Sequence, residues 1–162
     1  MSCTLNGMDP IEELRYLVLG AQREGARALA ELLRPTGLTP AQAEVLAVLR
    51  DADRPLTVRE IGERLVCEGG SPSRLVGSVV AAGLLQRGER DGDRRAVELS
   101  LTRDGAKAAR AVAEAERELH AWLSSSLSER ELAAAANALR KLVDGRQTGL
   151  AIARRRGTPT ER

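Results

Sequence analysis

Aromatic side chains are almost missing: one tyrosine, one tryptophan and no phenylalanine in 162 residues. Single-strand binders and RNA-reading sheets stack bases on such rings, so those modes of binding are disfavoured. The two cysteines, Cys3 and Cys67, are too few and too far apart for a disulfide framework, which agrees with a reducing compartment. One histidine, His120, stands beside Trp122 and reads as an ordinary packing or surface residue. No residue cluster has zinc-ligand spacing, and no serine or cysteine has an evident base and orienting partner. The glycine-rich EGGSPSR lacks the lysine of a phosphate-binding loop, and GERDGDRR falls in a hairpin pattern. The chain is therefore expected to be no enzyme and to need no metal or cofactor.

Long apolar runs are lacking as well, so no segment is expected to span a bilayer. The opening MSCTLNGMDP has neither the basic segment nor the apolar run of a secretory signal, which predicts a cytoplasmic location. Excess charge of one sign is absent: Lys and Arg number 25 against 23 for Asp and Glu, a net +2. A balance so near zero does not mark a nucleic-acid binder, and only local charge placement can carry that argument.

What is present is helix punctuation. Apolar content of 43% and charged content of 30% are ordinary for a folded protein, and the length fits a single domain over 1–162. Asp9 reads as an N-cap and Pro10 as a first helical residue, followed by an apolar stripe from Ile11 through Leu14 and Val18 to Leu32. Arg34, Pro35, Thr36 and Gly37 stop that helix, and Thr39 caps the next, with its stripe at Ala43, Leu46 and Leu49. Leu56 reads as extended. Thr57 and Glu60 form a capping box before a third helix with the stripe Val58, Ile61 and Leu65, on whose end Cys67 falls. Gly69 and Gly70 make a turn, Ser71 caps, Pro72 starts a fourth helix with Leu75, Val76, Val79 and Val80 inward, and Gly83 closes it.

The stretch GLLQRGERDGDRRAVELSLT follows. Leu85, Arg87 and Glu89 alternate with Gln86, Gly88 and Arg90; Asp91 and Gly92 supply the turn; Val97, Leu99 and Leu101 share a face of the return strand. Two short helices and then a charged hairpin make a winged helix-turn-helix over 38–105. The fold expected is mainly α with a small β-hairpin. Thr102 caps an alanine-rich helix reaching roughly Leu123, and Leu132, Ala135, Ala136, Leu139 and Val143 mark another. The helices over 9–35 and 106–145 are more than a winged core needs. Either they pack on a second copy, as dimerisation helices, or they fold back on their own core.

The helix order and DGDRRAVELSLTRDG resemble the MarR family of bacterial transcription regulators, whose wing reads D-x-D-R-R-x-x-x-x-x-L-T-x-x-G. Weaker matches, LTPAQAEVLAVL, LTVREIGERL and SRLVGSVVAAGLLQR, extend the likeness over about Leu38 to Gly105. The resemblance implies a homodimeric repressor that binds a near-palindromic operator in double-stranded DNA and is released by a small-molecule effector or by oxidation. It places Ser71, Ser73 and Arg74 at the start of the recognition helix and Ser78 further along it. Gly77 and Ser78 stand where the family often has an aspartate and a second arginine. Arginine suits base reading, since a bidentate contact to guanine is worth about 1–3 kcal/mol of discrimination. Arg90, Arg94 and Arg95 belong to the wing, with Arg95 matching the tip residue that enters the minor groove. Arg94 either contacts phosphate or pairs with Asp91 or Asp93 to shape the turn.

Several residues keep two readings. Cys67 is either a core residue, the stronger expectation, or a redox gate for DNA binding. Arg154, Arg155 and Arg156 are either phosphate contacts or, more in keeping with ARRRGTPTER as a frayed end, a solvated tail. Tyr16 and Trp122 either line an effector pocket or pack in a core. The rival to a DNA binder is a winged-helix protein-interaction scaffold, in which Arg74, Arg87, Arg90, Arg94 and Arg95 would not form one positive surface.

Overall fold

The Asp9 carboxylate accepts from the Ile11 amide at 3.1 Å and Pro10 follows it, so the first helix, α1 (Pro10–Leu33), begins where its cap dictates. The computed structural model describes residues 8–67, 70–90 and 93–157, with residues 90 and 93–96 through their backbone alone. A 3-10 turn, Arg34–Thr36, ends α1 with Gly37 left-handed at φ 69°. Helix α2 (Pro40–Ala52) starts on a full capping box in which Thr39 and Gln42 exchange side-chain and backbone bonds. Strand β1 (Leu56–Thr57) leads into α3 (Val58–Gly62), which Thr57 and Glu60 cap reciprocally. Next come α4 (Pro72–Ala81), β2 (Leu85–Arg90), β3 (Asp93–Leu101), α5 (Arg103–Ser126), α6 (Glu129–Val143) and α7 (Gln147–Arg155).

The core is built around α2, whose Ala43 and residues 45–49 are all buried. Leu33, Ile61, Val79, Leu99 and Val112 close on it from α1, α3, α4, β3 and α5, each at most 1% exposed. Truncating Leu46, which is fully buried among them, to alanine costs about 2–5 kcal/mol. The sheet runs in the order β1-β3-β2, antiparallel throughout. Leu56 pairs with Leu99, and Leu85 with Leu101, so three buried leucines and the partly buried Leu101 anchor the base of the hairpin. Among the described residues no helix is long and apolar enough to cross a membrane.

Four expectations change. Helix three is shorter than its stripe implied: α3 stops at Gly62, and Leu65 and Cys67 lie beyond it. The reason is Glu44 of α2, whose carboxylate takes the amides of Val66 and Cys67 at 2.8 and 3.0 Å and draws the chain off the helical path. Cys67 is accordingly exposed rather than core. The alanine-rich helix continues past Leu123 to Ser126, where Leu127 turns extended and Ser128 caps α6 in a box with Glu131. The arginine run is no frayed end: Arg154 and Arg155 belong to α7, which buries Ala151 and places both side chains in ion pairs.

Tyr16 and Trp122 are 50% and 47% exposed, so neither packs in the core of its own chain. Ile11, Leu14 and Val18 on the first half of α1, Leu123 near the end of α5, and Leu139 and Leu142 on α6 are exposed as well. The second half of α1 does fold back, with Leu29, Leu32 and Leu33 against the core.

Candidate nucleic-acid interface

The rotation of α4 about its axis is set by two residues. Val76 and Val79, 2% and 0% exposed, face α2 and the sheet, which turns the opposite side outward. Ser71, Ser73, Arg74 and Ser78 are all exposed, and 71, 74 and 78 follow the three-and-four spacing of one face. The structure thus brings Ser71, Arg74 and Ser78 together, whereas Ser73, on the side toward α3 and α7, borders a cleft with Arg59, Glu63 and Arg154. Pro72 occupies the first turn, no acidic residue lies in it, and Ser71 makes no side-chain capping bond. The amide end of α4 therefore carries partial positive charge beside free hydroxyls, an arrangement suited to a phosphate. Among the described residues the side chains of Ser71, Ser73 and Arg74 have no hydrogen-bond or ion-pair partner.

Ser78 differs from the other three. Its hydroxyl donates to the Leu75 carbonyl at 2.7 Å and accepts from Gln42 Nε2 at 3.2 Å, so only acceptor capacity is left for a ligand. Gln42 was not singled out by its type. Its place three residues after the cap Thr39 was the available signal, because the same side chain completes that box and then reaches α4.

The wing is fixed to α4 at its base. The Thr102 hydroxyl donates to the Gly83 carbonyl at 2.8 Å, its amide donates to Leu84 at 3.0 Å, and it accepts from the Gly105 amide at 2.9 Å. A Cβ on Gly105 would lie 1.9 Å from the Leu84 carbonyl oxygen, so this position requires glycine. One threonine and one glycine hold the turn after α4, the last strand residue and the start of α5 in a single knot. Beyond it β2 and β3 run out in register as far as Glu89 opposite Val97, with an irregularity between Glu89 and Arg90. Arg87 is exposed on β2. Arg90, Arg94 and Arg95 lie at the far end of the hairpin by backbone register, and their side chains, like Asp91 and Gly92, lie outside the described residues, as do Cys3 and Gly69.

Ahead of α4, Glu60 braces the helix-turn-helix. Burial by itself would raise its carboxyl, but the Thr57 amide and hydroxyl and the Arg54 guanidinium bond to it and hold it down at about 2. Cys67 shows the opposite shift. Desolvation of its thiol, then the bond it donates to Glu44 and the charge of that carboxylate, push it up to about 12.

Residues 36–96 match the family model described as MarR family. The chain is 31% identical over 94 residues to the organic hydroperoxide resistance transcriptional regulator of Bacillus subtilis, covering 58% of this chain and 63% of that protein. It is 31% identical over 120 residues to the HTH-type transcriptional repressor MdtR of Bacillus subtilis, covering 74% and 77%. Among solved structures it is similar to a cysteine-to-serine mutant of MarR from E. coli complexed with operator DNA. That likeness has a TM-score of 0.69 at 27% identity and covers 88% of this chain and 99% of the other.

Proposed function

Because the chain belongs to the MarR family, we infer that it is a sequence-specific transcriptional regulator that binds double-stranded DNA as a homodimeric repressor and is released by a small-molecule effector. The observation that carries this is the outward face of α4, where Ser71, Arg74 and Ser78 stand exposed, the first two without a side-chain partner among the described residues, beside a wing tied to the helix by Thr102. Arg74 reads a guanine edge, Ser71 and Ser73 take phosphate or base edges, and Ser78 accepts. Arg90 and Arg94 follow the backbone, and Arg95 enters the minor groove. The E. coli MarR structure holding operator DNA supports the same docking of this fold. No catalysis belongs to this reading, and a cytoplasmic location accords with a DNA target.

The helices over 9–35 and 106–145 serve dimerisation. Their apolar residues Ile11, Leu14, Leu139 and Leu142 are left exposed by one chain and are buried by a second. Pairing sets the two recognition helices about 34 Å apart, one turn of DNA, so an effector that alters the spacing costs one of the two linked contacts. The test is selection of bound sequences from random duplex DNA at fixed salt, repeated with candidate ligands. Enrichment of a near-palindrome supports the reading; a chain that enriches nothing acts as a scaffold instead.

A further inference from the structure

Glu44 is a central residue of α2 with no place in the DNA-facing surface. Its side chain is 10% exposed and accepts from the Val66 amide at 2.8 Å, the Cys67 amide at 3.0 Å and the Cys67 thiol. Those donors belong to the segment that leaves α3 and leads to the recognition helix. Among the described residues of that segment the backbone makes two short turn bonds, Arg64 to Ile61 and Leu65 to Gly62, and the carboxylate takes the amides that follow, in place of the helical ladder that ended at Gly62.

A carboxylate this enclosed needs a counter-charge. It comes from Arg155 of α7, whose guanidinium reaches Glu44 at 3.0 Å and Asp51 at 3.7 Å. Arg154 meets Glu63 of the same region at 3.8 Å. The docking of α7 is built in. Gly145 turns left-handed at φ 66°, and a Cβ on Gly149 would lie 2.1 Å from the Val143 carbonyl oxygen, so only glycine lets α7 fold this tightly on the end of α6. Ala151 is 2% exposed beneath it. Gln147 and Thr148 of α7 form one wall of a cleft of about 330 Å³ whose other wall includes Pro72 and Leu75 of α4. Helix α7 therefore begins beside the end of α6 and the leading turn of α4 and ends, at Arg155, against α2.

We propose that Glu44 is a positioning residue for the recognition helix and that Arg155 is the latch that holds it, so that the C-terminal helix sets DNA affinity without touching DNA. The proposal rests on the DNA-binding reading and adds a route by which α6 is coupled to the helix-turn-helix. A loss of Arg155 leaves the carboxylate without its guanidinium, loosens the Val66 and Cys67 amides, and widens the range of positions that α4 samples. Fewer of those positions fit a groove.

The test uses the full chain carrying Arg155→Met, which keeps the aliphatic stem, and Arg155→Lys, which restores charge. Native amide exchange without DNA is expected to speed about tenfold at Val66 and Cys67 in Arg155→Met and to stay unchanged across residues 46–49. Affinity for a duplex selected by the wild-type chain is expected to fall about tenfold with an unchanged slope against log salt, since no phosphate contact is lost. Arg155→Lys recovers most of both. Unchanged exchange at Val66 and Cys67 overturns the latch, and so does an affinity loss in which the slope drops by about 0.9, the signature of an arginine on phosphate. If the wild-type chain selects no duplex, the DNA-binding reading fails by itself, while the exchange measurement still decides the latch.

Discussion

The Thr102 hydroxyl and the Gly83 carbonyl, 2.8 Å apart, join the base of the wing to the turn after the recognition helix. Together they tie α4 to the base of the hairpin, the two elements proposed above to dock on DNA. Thr102→Val removes this bond and the α5 cap, and a stability loss of about 1–2 kcal/mol is expected in chemical denaturation. Gly105→Ala should cost more, because its Cβ would stand 1.9 Å from the Leu84 oxygen and the start of α5 must move away. Equal stability of both variants and wild type would show that the wing does not depend on the knot.

Arg74 is exposed and without a partner among the described residues, so Arg74→Ala should leave the melting temperature nearly untouched. The same change should weaken binding to the selected duplex by about 1–3 kcal/mol and relax the preference at one base position. Binding that weakens equally on every sequence would assign Arg74 to phosphate instead.

The Glu60 carboxyl sits at about 2 in the folded chain against 4.5 in its ordinary state. A depressed carboxyl stabilises the fold fully above the higher value and loses that contribution as pH falls from about 4.5 toward 2. Glu60→Gln should therefore be less stable than wild type at neutral pH, by at most about 3 kcal/mol, and the gap should close across that window. A gap that stays constant down to pH 2 would mean that charge on Glu60 is immaterial.

With its thiol at about 12, Cys67 is almost wholly protonated at neutral pH. In a Cys3→Ser background, iodoacetamide should label native Cys67 at least about a hundredfold more slowly than the unfolded chain, and peroxide should leave DNA affinity within about twofold. Rapid native labelling together with oxidation-sensitive binding would restore the redox gate.

Much of the fold was legible because its signals are local. Asp9, Thr39, Thr57 and Thr102 cap helices through bonds spanning two or three residues, and the alternation in the hairpin sets its register. The outward face of α4 could be read for a similar reason, since Val76 and Val79 settle its rotation. What escaped is held by contacts distant in sequence. The end of α3 depends on a bond between Val66 and Glu44, 22 residues apart, and the docking of α7 on Arg155 and Glu44, 111 apart. Ser78 is engaged by Gln42 across 36 residues, which no periodicity announces. The arginines of ARRRG read as solvent-facing because charge alone does not reveal a waiting carboxylate.

The most direct measurement is footprinting of the full chain on its selected duplex, with the mass of the free protein measured in parallel. The account predicts a dimer that protects two related half-sites on one side of the helix, about one turn apart, with wing cuts suppressed in the flanking minor grooves. A monomer, or a single protected patch with no second half-site, would contradict it.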